Sequence, residues 1–342
     1  MDLSLFNNIT ARLHQYLGIP LYVIGNLSNI ICVMIFIRKT WRKNVCVFYF
    51  LTCLFFDCMN VNVSLLGSIV ILGFNIDLTR SNVALCKIYN YLSLLLSTLS
   101  ATILILASID RLLISSQNID TRLYSSRRLA YLLISVSTTL WSIFFIHILI
   151  QFDIQRIGFF ASICLFDVMA IYADFIAYSM LIIDVVAFFL MIVLLTLSFK
   201  NVRRIRSIPR RQRQIGRTMH KKDFQLLRCL FAKDILYIVF NTFLCFYLIY
   251  KSIRKSQTQT IGQQQLDVFA FNLGYLIHQI PFCVSLYTYS LISRAFRQDF
   301  KRLVWKMIGK NNTVVTPEEG EQNEQEARRR ARESIAISTI IS

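Results

Sequence analysis

The chain has 342 residues, of which 55% are apolar and 16% are charged, with ten glycines and four prolines. This composition excludes an ordinary soluble globular protein. The formal net charge of +18 does not require nucleic acid as a partner, because a basic cytoplasmic rim facing anionic membrane lipid accounts for it.

Seven mainly apolar segments are each long enough to cross a bilayer as a helix. They are Leu17–Ile37, Val45–Phe74, Val83–Ser115, Leu129–Ile150, Tyr172–Phe199, Leu226–Tyr250 and Leu266–Ile292. The sequence therefore predicts an all-α membrane protein, with a seven-transmembrane helix bundle over residues 17–292.

Basic residues collect in alternate connections between these segments. Arg38, Lys39, Arg42 and Lys43 follow the first segment, and eleven Lys and Arg residues lie between Lys200 and Arg228. Short cytoplasmic loops retain positive charge, so we expect a multi-pass plasma-membrane protein with residues 1–16 outside. Asn8, in the sequon Asn8-Ile9-Thr10, is then a candidate for glycosylation, although chance matches are common.

The third segment carries Cys86 near one end and Asp110-Arg111 near the other. The 24 residues from Cys86 to Asp110 extend about 36 Å as a helix, enough to cross the hydrocarbon. Cys164 falls in another outer segment, where an oxidising environment permits a bond with Cys86. The Asp-Arg pair belongs at the cytoplasmic boundary, because charges inside a bilayer are costly.

Two parts follow the bundle. Residues 293–307 predict a short amphipathic helix on the inner membrane surface, with apolar residues at helical spacing and basic residues opposite. Residues 308–342 are polar and are expected to be a disordered cytoplasmic tail. Its hydroxyls are candidates for phosphorylation and arrestin docking, and ordinary disorder explains them equally well.

The sequence does not favour an enzyme. Its four histidines are dispersed without metal-ligand spacing, and no nucleophile with a neighbouring base or phosphate-binding glycine loop is evident. We therefore expect no catalytic residues and no metal centre.

Several residues in this order and spacing resemble the rhodopsin-like (class A) G-protein-coupled receptors, over about Gly25 to Phe300. The matching residues are Gly25, Asn26, Asp57, Cys86, Ser100, Asp110, Arg111, Trp141, Cys164, Tyr289, Phe296 and Arg297. Within that class, Gly25–Ile30 and Lys221–Leu227 resemble invertebrate neuropeptide receptors of the FMRFamide type.

The resemblance implies a polar core in the middle of the bundle. Asn26, Asp57, Ser100 and Ser285 would converge there, with Ser285 standing where the family usually has Asn. In the family this cluster holds a sodium ion, so a sodium ion at Asp57 is expected. The alternative is a protonated Asp57 that bonds only to helix neighbours.

The resemblance also implies a switch for G-protein coupling at the inner end. Arg111 would pair with Asp110 and with Asp223 when inactive, and would contact the G protein when active. The alternative is an Arg whose charged end reaches the inner membrane surface. Tyr289 would be the family's inner tyrosine, and its alternative is an interfacial anchor.

Two departures from the family bear on mechanism and ligand. The run Phe240-Asn241-Thr242-Phe243 lacks the usual Trp and Pro of the sixth helix, and Pro281 is the nearest source of a kink in the seventh. Ser93 stands where amine receptors have Asp, which disfavours an amine. Ser93, Asp184 and Asn241 are candidate pocket residues. Five acidic residues near the mouth favour a cationic peptide or are ordinary loop acids: Asp77, Asp153, Asp167, Asp174 and Asp267.

We expect a receptor that converts binding of an extracellular ligand, a peptide, into activation of a heterotrimeric G protein inside the cell. A receptor-like protein that binds ligand without coupling is the first alternative, because the sixth-helix proline is missing. A transporter is the second. It predicts paired charges within the membrane and repeated halves, whereas the sequence shows only Asp57 and Asp184 as deep acids and no internal repeat.

Overall fold

A computed structural model of the protein describes residues 3–42, 44–115, 124–157, 161–165, 171–207, 221–254 and 260–308. Within these residues the chain is almost entirely helical. The first four helices are α1 (Leu3–Leu13, the π-helical turn His14–Gly18, then Ile19–Phe36), α2 (Val45–Asn60, Val61–Leu65, Leu66–Ser68 and Ile69–Gly73), α3 (Val83–Ile114) and α4 (Arg127–Phe144 and Ile146–Gln151). The others are α5 (Ile171–Ser207), α6 (Lys221–Ile253), α7 (Ile261–His278, Ile280–Cys283 and Ser285–Ile292) and α8 (Arg294–Met307).

Three short elements connect these helices. They are the helical turn Lys39–Arg42, the 3-10 turn Leu78–Arg80, and an antiparallel hairpin of β1 (Asp153–Ile157) and β2 (Ala161–Leu165). The all-α prediction is thus correct for the bundle but missed this hairpin between α4 and α5.

Six helices, α1 to α6, contain a stretch long and apolar enough to cross a membrane. The two parts of α7, Gly262–Cys283 and Ser285–Ile292, bend by 49° and add a seventh crossing if they count as one span. The prediction of a helical protein with membrane-spanning segments is therefore confirmed at this coarser level: among the described residues, six or seven helices are long and apolar enough to cross. The bend lies just after Pro281, the residue expected to kink this helix.

The first helix begins well before the first predicted crossing, which starts at Leu17. It starts at Leu3 and continues through His14 into that crossing. Tertiary contacts hold it: the rings of Phe6 and Phe269 lie 5.6 Å apart, and Gln15 Nε2 donates a 2.7 Å hydrogen bond to Gly73 O. Polar residues interrupt the apolar pattern here, so the pattern did not predict that the helix begins at Leu3.

The chain divides into two compact units, Met1–Arg297 and Gln298–Ser342. The first contains α1 to α7 and the start of α8. In the second, Arg302 Nη1 lies 3.6 Å from Asp299 Oδ1 on the remainder of α8. The predicted tail from residue 309 onward lies outside the described residues.

A disulfide between Cys86 and Cys164 connects the start of α3 to β2. Cys86 is fully buried, in an apolar cluster with Leu95, Phe145 and Ile148. Asn90 Nδ2, one turn along α3, lies 3.2 Å from Cys164 Sγ. We call this side of the bundle the disulfide end, and the opposite side, where α3 carries Arg111, the arginine end.

Replacing either bonded cysteine should destabilise the protein equally. Cys86→Ser and Cys164→Ser each open the same loop of 78 residues in sequence separation, which is worth about 4 kcal/mol in the chain-entropy description. Thermal unfolding of the purified protein measures the loss. Cys58→Ser, which changes a free and partly buried thiol, is the control, and a loss in only one of the two bonded positions would contradict the pairing.

Candidate functional site

An ion pair lies buried between α2 and α6. The Lys233 ammonium Nζ is 2.5 Å from Asp57 Oδ2, and the two side chains are 3% and 0% exposed. Each charge would be costly alone in an apolar bundle, so the pair is held by mutual attraction and by added hydrogen bonds. Asp57 comes from α2 and Lys233 from α6, so the contact joins two helices that are distant in sequence.

Polar side chains from two further helices complete this site, which we call the central polar cluster (Asp57, Ser100, Lys233 and Ser285). Ser100 on α3 donates a hydrogen bond to Asp57 Oδ1, and Lys233 Nζ donates one of 3.1 Å to Ser285 Oγ on α7. The Cys53 thiol lies 3.5 Å from Ser100 Oγ. The cluster therefore connects α2, α3, α6 and α7.

A sodium ion does not fit these residues as the resemblance implied. The Lys233 ammonium is the positive charge next to Asp57, and it also bonds to Ser285. Asn26 does not converge on Asp57: its Nδ2 donates to Tyr22 O at 3.1 Å, and its Oδ1 accepts from Asn62 Nδ2 at 2.8 Å. The expected grouping holds for Asp57, Ser100 and Ser285, but Asn26 lies elsewhere.

Asn29, one turn beyond Asn26, is the buried asparagine of α1. It is 1% exposed and its Nδ2 donates to Phe282 O on α7 at 3.1 Å. Helix α1 approaches α7 closely at this level, because a Cβ on Gly25 would lie 2.8 Å from Cys283 Sγ. The sequence pattern did not distinguish Asn26 from Asn29, since both lie within the same apolar segment.

Lys233 and its neighbour Asp234 are the deep charges that the sequence analysis missed. Asp234 is fully buried and accepts a 2.9 Å hydrogen bond from Ser108 Oγ on α3. Two adjacent charged residues inside the sixth apolar segment were the signal that could have found them, because charges within a membrane helix face the bundle interior and have partners.

Further buried hydrogen bonds continue from the central polar cluster toward the disulfide end. Asn60 Nδ2 on α2 donates to Gln279 Oε1 on α7 at 3.0 Å, and Asn60 Oδ1 accepts from Ser64 Oγ at 2.8 Å. On α3, Ser97 Oγ lies 2.9 Å from His278 Nε2. Helix α7 is thus connected by side chains to both α2 and α3.

Arg111 lies in a second cluster, at the arginine end. It is 0% exposed, and its Nη2 lies 2.6 Å from Asp110 Oδ2 and 3.3 Å from Asn44 Oδ1. Ser125 Oγ donates a 2.6 Å bond to the other oxygen of Asp110. The expected contact between Arg111 and Asp110 is present. The side chain of Asp223 lies outside the described residues.

Tyr289 is buried between the two clusters. It is 0% exposed, which contradicts the alternative of an interfacial anchor. Its ring lies 5.3 Å from that of Phe36 and 5.7 Å from that of Phe296, and Lys233 Nζ is 6.0 Å from its centroid. Tyr289 therefore lies next to both the central polar cluster and the aromatic rings of Phe36 and Phe296. A shift of the cluster would disturb this aromatic packing.

The three candidate pocket residues do not form one hydrogen-bonded site. Ser93 and Asn241 are 9% and 1% exposed, and Asp184 is partly buried on α5. In the part of the chain that the structure describes, no hydrogen bond or ion pair joins them. Asn8 is exposed on α1, whereas the hydroxyl of Thr10 in its sequon donates to Phe6 O at 2.9 Å.

No known family model matches this chain, and a comparison with curated proteins finds no match. The structure alone defines the class: a helical protein with several helices long and apolar enough to cross a membrane, joined by buried charges.

Removing either charge of the ion pair should destabilise the fold strongly. Lys233→Met and Asp57→Asn should each lower the free energy of unfolding by about 3–5 kcal/mol, because each leaves the other charge buried and uncompensated. The double variant should lose less than the sum of the two. Thermal unfolding of all four forms measures this coupling, and strictly additive losses would contradict it.

Proposed function

We propose that this protein is a rhodopsin-like G-protein-coupled receptor of the plasma membrane, with its disulfide end outside the cell. It converts binding of an extracellular peptide into activation of an intracellular G protein. The observation that carries this proposal is the buried pair of Arg111 and Asp110 at the opposite end of α3 from the disulfide.

The two ends of α3 fit opposite faces of a membrane. Cys86 and Arg111 are 25 residues apart on one unbroken helix, about 37 Å at 1.5 Å per residue, which exceeds the hydrocarbon thickness. Arg42, Arg127 and Arg128 are exposed near the arginine end. A cytoplasmic location for that end agrees with the tendency of short inner loops to retain positive charge.

The complete burial of Arg111 is unusual for a residue at a membrane boundary, because a long basic side chain there would ordinarily reach water. In the proposed receptor this arrangement is the inactive state, in which Asp110 and Asn44 hold Arg111 inside. Activation shifts a two-state helix bundle toward the form in which Arg111 reaches the G protein.

The hinge for such a shift differs from that of the family. Helix α6 lacks proline and is continuous over 33 residues, whereas α7 breaks between Cys283 and Ser285 and bends by 49°. We therefore assign the flexible point to α7, beside Ser285 of the central polar cluster. In the proposed receptor, this bend takes the part that the proline of the sixth helix has in the family.

The ligand would bind at the disulfide end, where the hairpin of β1 and β2 lies next to α3. Asp153 is exposed there on β1, whereas Asp77 is paired with Arg80 at 2.7 Å and Asp267 is 7% exposed. Asp153 is accordingly the better-placed acid for attracting a cationic peptide. Asp167 and the tail hydroxyls proposed for arrestin lie outside the described residues.

A proton- or ion-coupled transporter is the second candidate function. The buried pair of Asp57 and Lys233, with Asp234 adjacent, favours it because paired charges inside the membrane are typical of such proteins. A transporter would move solute or protons across vesicles that contain only this protein. A receptor would not.

Ligand-dependent signalling should require Arg111. Cells expressing the chain are screened with amidated peptides, with calcium and cyclic-nucleotide readouts, and at least one peptide should give a response. Arg111→Ala should abolish that response without loss of surface expression, because it removes the G-protein contact. Arg128→Ala, an exposed arginine at the same end, is the matched control. Silence of the wild-type chain in every readout would contradict coupling and favour a receptor-like protein that only binds.

The proposed orientation can be tested by labelling intact cells with a membrane-impermeant maleimide. Asp153→Cys should react from outside, and Arg128→Cys should react only after permeabilisation, because both positions are exposed but lie at opposite ends. The parent chain, whose seven free cysteines are mostly buried, gives the background. Labelling of both positions from one side would exclude the topology.

A further inference from the structure

The Lys233 ammonium lies beside Asp57, where the resemblance implied a sodium ion. Unlike sodium, this positive charge is covalently part of the chain. Both oxygens of the Asp57 carboxylate are engaged, one by Lys233 at 2.5 Å and the other by Ser100. We infer that Lys233 takes the place of the sodium ion, and that the central polar cluster of this protein binds no monovalent cation.

The available ligands support this inference. A sodium ion needs several oxygen ligands, but Ser285 Oγ already accepts a hydrogen bond from Lys233, and Asn26 Oδ1 accepts one from Asn62. Asn29, the buried asparagine of α1, directs its amide nitrogen to Phe282 O, and its Oδ1 accepts no hydrogen bond from the described residues. The side-chain oxygens of the central polar cluster itself are all engaged in hydrogen bonds with one another or with Lys233.

Electrostatic repulsion also disfavours a sodium ion beside Asp57. A second cation beside Asp57 would lie within a few ångström of the Lys233 ammonium in a site that is closed to water, where like charges repel strongly. The Asp57 carboxylate carries one negative charge, and the Lys233 ammonium already compensates it. Asp234, the other buried acid nearby, is turned to Ser108 on α3 and adds no bond to this pair.

A tethered cation changes the behaviour of the cluster. A soluble ion leaves and returns with salt concentration, whereas Lys233 is part of α6 and is always present. The contact between α2 and α6 is therefore independent of external sodium, and separating these helices exposes two unpaired charges. This inference concerns the bundle itself and holds whether or not the protein couples to a G protein.

The test uses thermal unfolding of the full-length protein in lipid nanodiscs, in sodium, potassium or choline chloride at equal ionic strength. The wild-type melting temperature should be the same in all three. Lys233→Met removes the ammonium and leaves Asp57 uncompensated, so sodium should raise its melting temperature by about 2 °C or more over choline. Lys251→Met, which removes an exposed lysine of the same helix, should show no such rise.

Two outcomes overturn the inference. A sodium-dependent rise in the wild-type protein would show that Lys233 does not exclude the ion, and this result does not depend on any variant folding. A folded Lys233→Met variant that is indifferent to sodium would show that Lys233 is not what takes the ion's place. If that variant does not fold, Lys233→Gln serves in its place, and sodium NMR line widths of the wild-type protein provide a direct measure of binding.

Discussion

The ion pair between Asp57 and Lys233 is the interaction on which the centre of this bundle depends. It joins α2 to α6, and its hydrogen bonds to Ser100 and Ser285 bring in α3 and α7. Because neither charge is tolerated alone in an apolar interior, the four helices are held in one relative arrangement.

The two ends are stabilised by different chemistry. At the disulfide end a covalent bond holds the hairpin to α3, over a buried apolar cluster. At the arginine end the contacts are polar and reversible, with Arg111 bonded to Asp110 and Asn44. Tyr289 and its aromatic neighbours lie between that end and the ion pair. One end is thus built to stay in place and the other can rearrange, as the proposed signalling function requires.

Much of this could be predicted from sequence. Long apolar runs indicated the membrane helices, and the positions of Cys86 and Cys164 indicated their bond. The ion pair was missed because a hydropathy pattern averages over a whole segment and dilutes Lys233 and Asp234 among their apolar neighbours. The role of Asn26 came from the resemblance, and the structure buries Asn29 instead because the rotation of a uniformly apolar helix is set by tertiary packing. The hairpin was missed because its few residues carry no strong alternation.

The unbroken course of α6 has a mechanical consequence. A continuous helix held at Lys233 would act as a lever with unequal arms: 20 residues to Ile253, about 30 Å, and 12 residues to Lys221, about 18 Å. Tilting about that fulcrum moves the shorter arm about three-fifths as far as the longer one. In the proposed signalling function, the helix would thus reduce displacement and multiply force from the disulfide end to the arginine end. A helix with a proline kink would instead let its two halves move by different amounts.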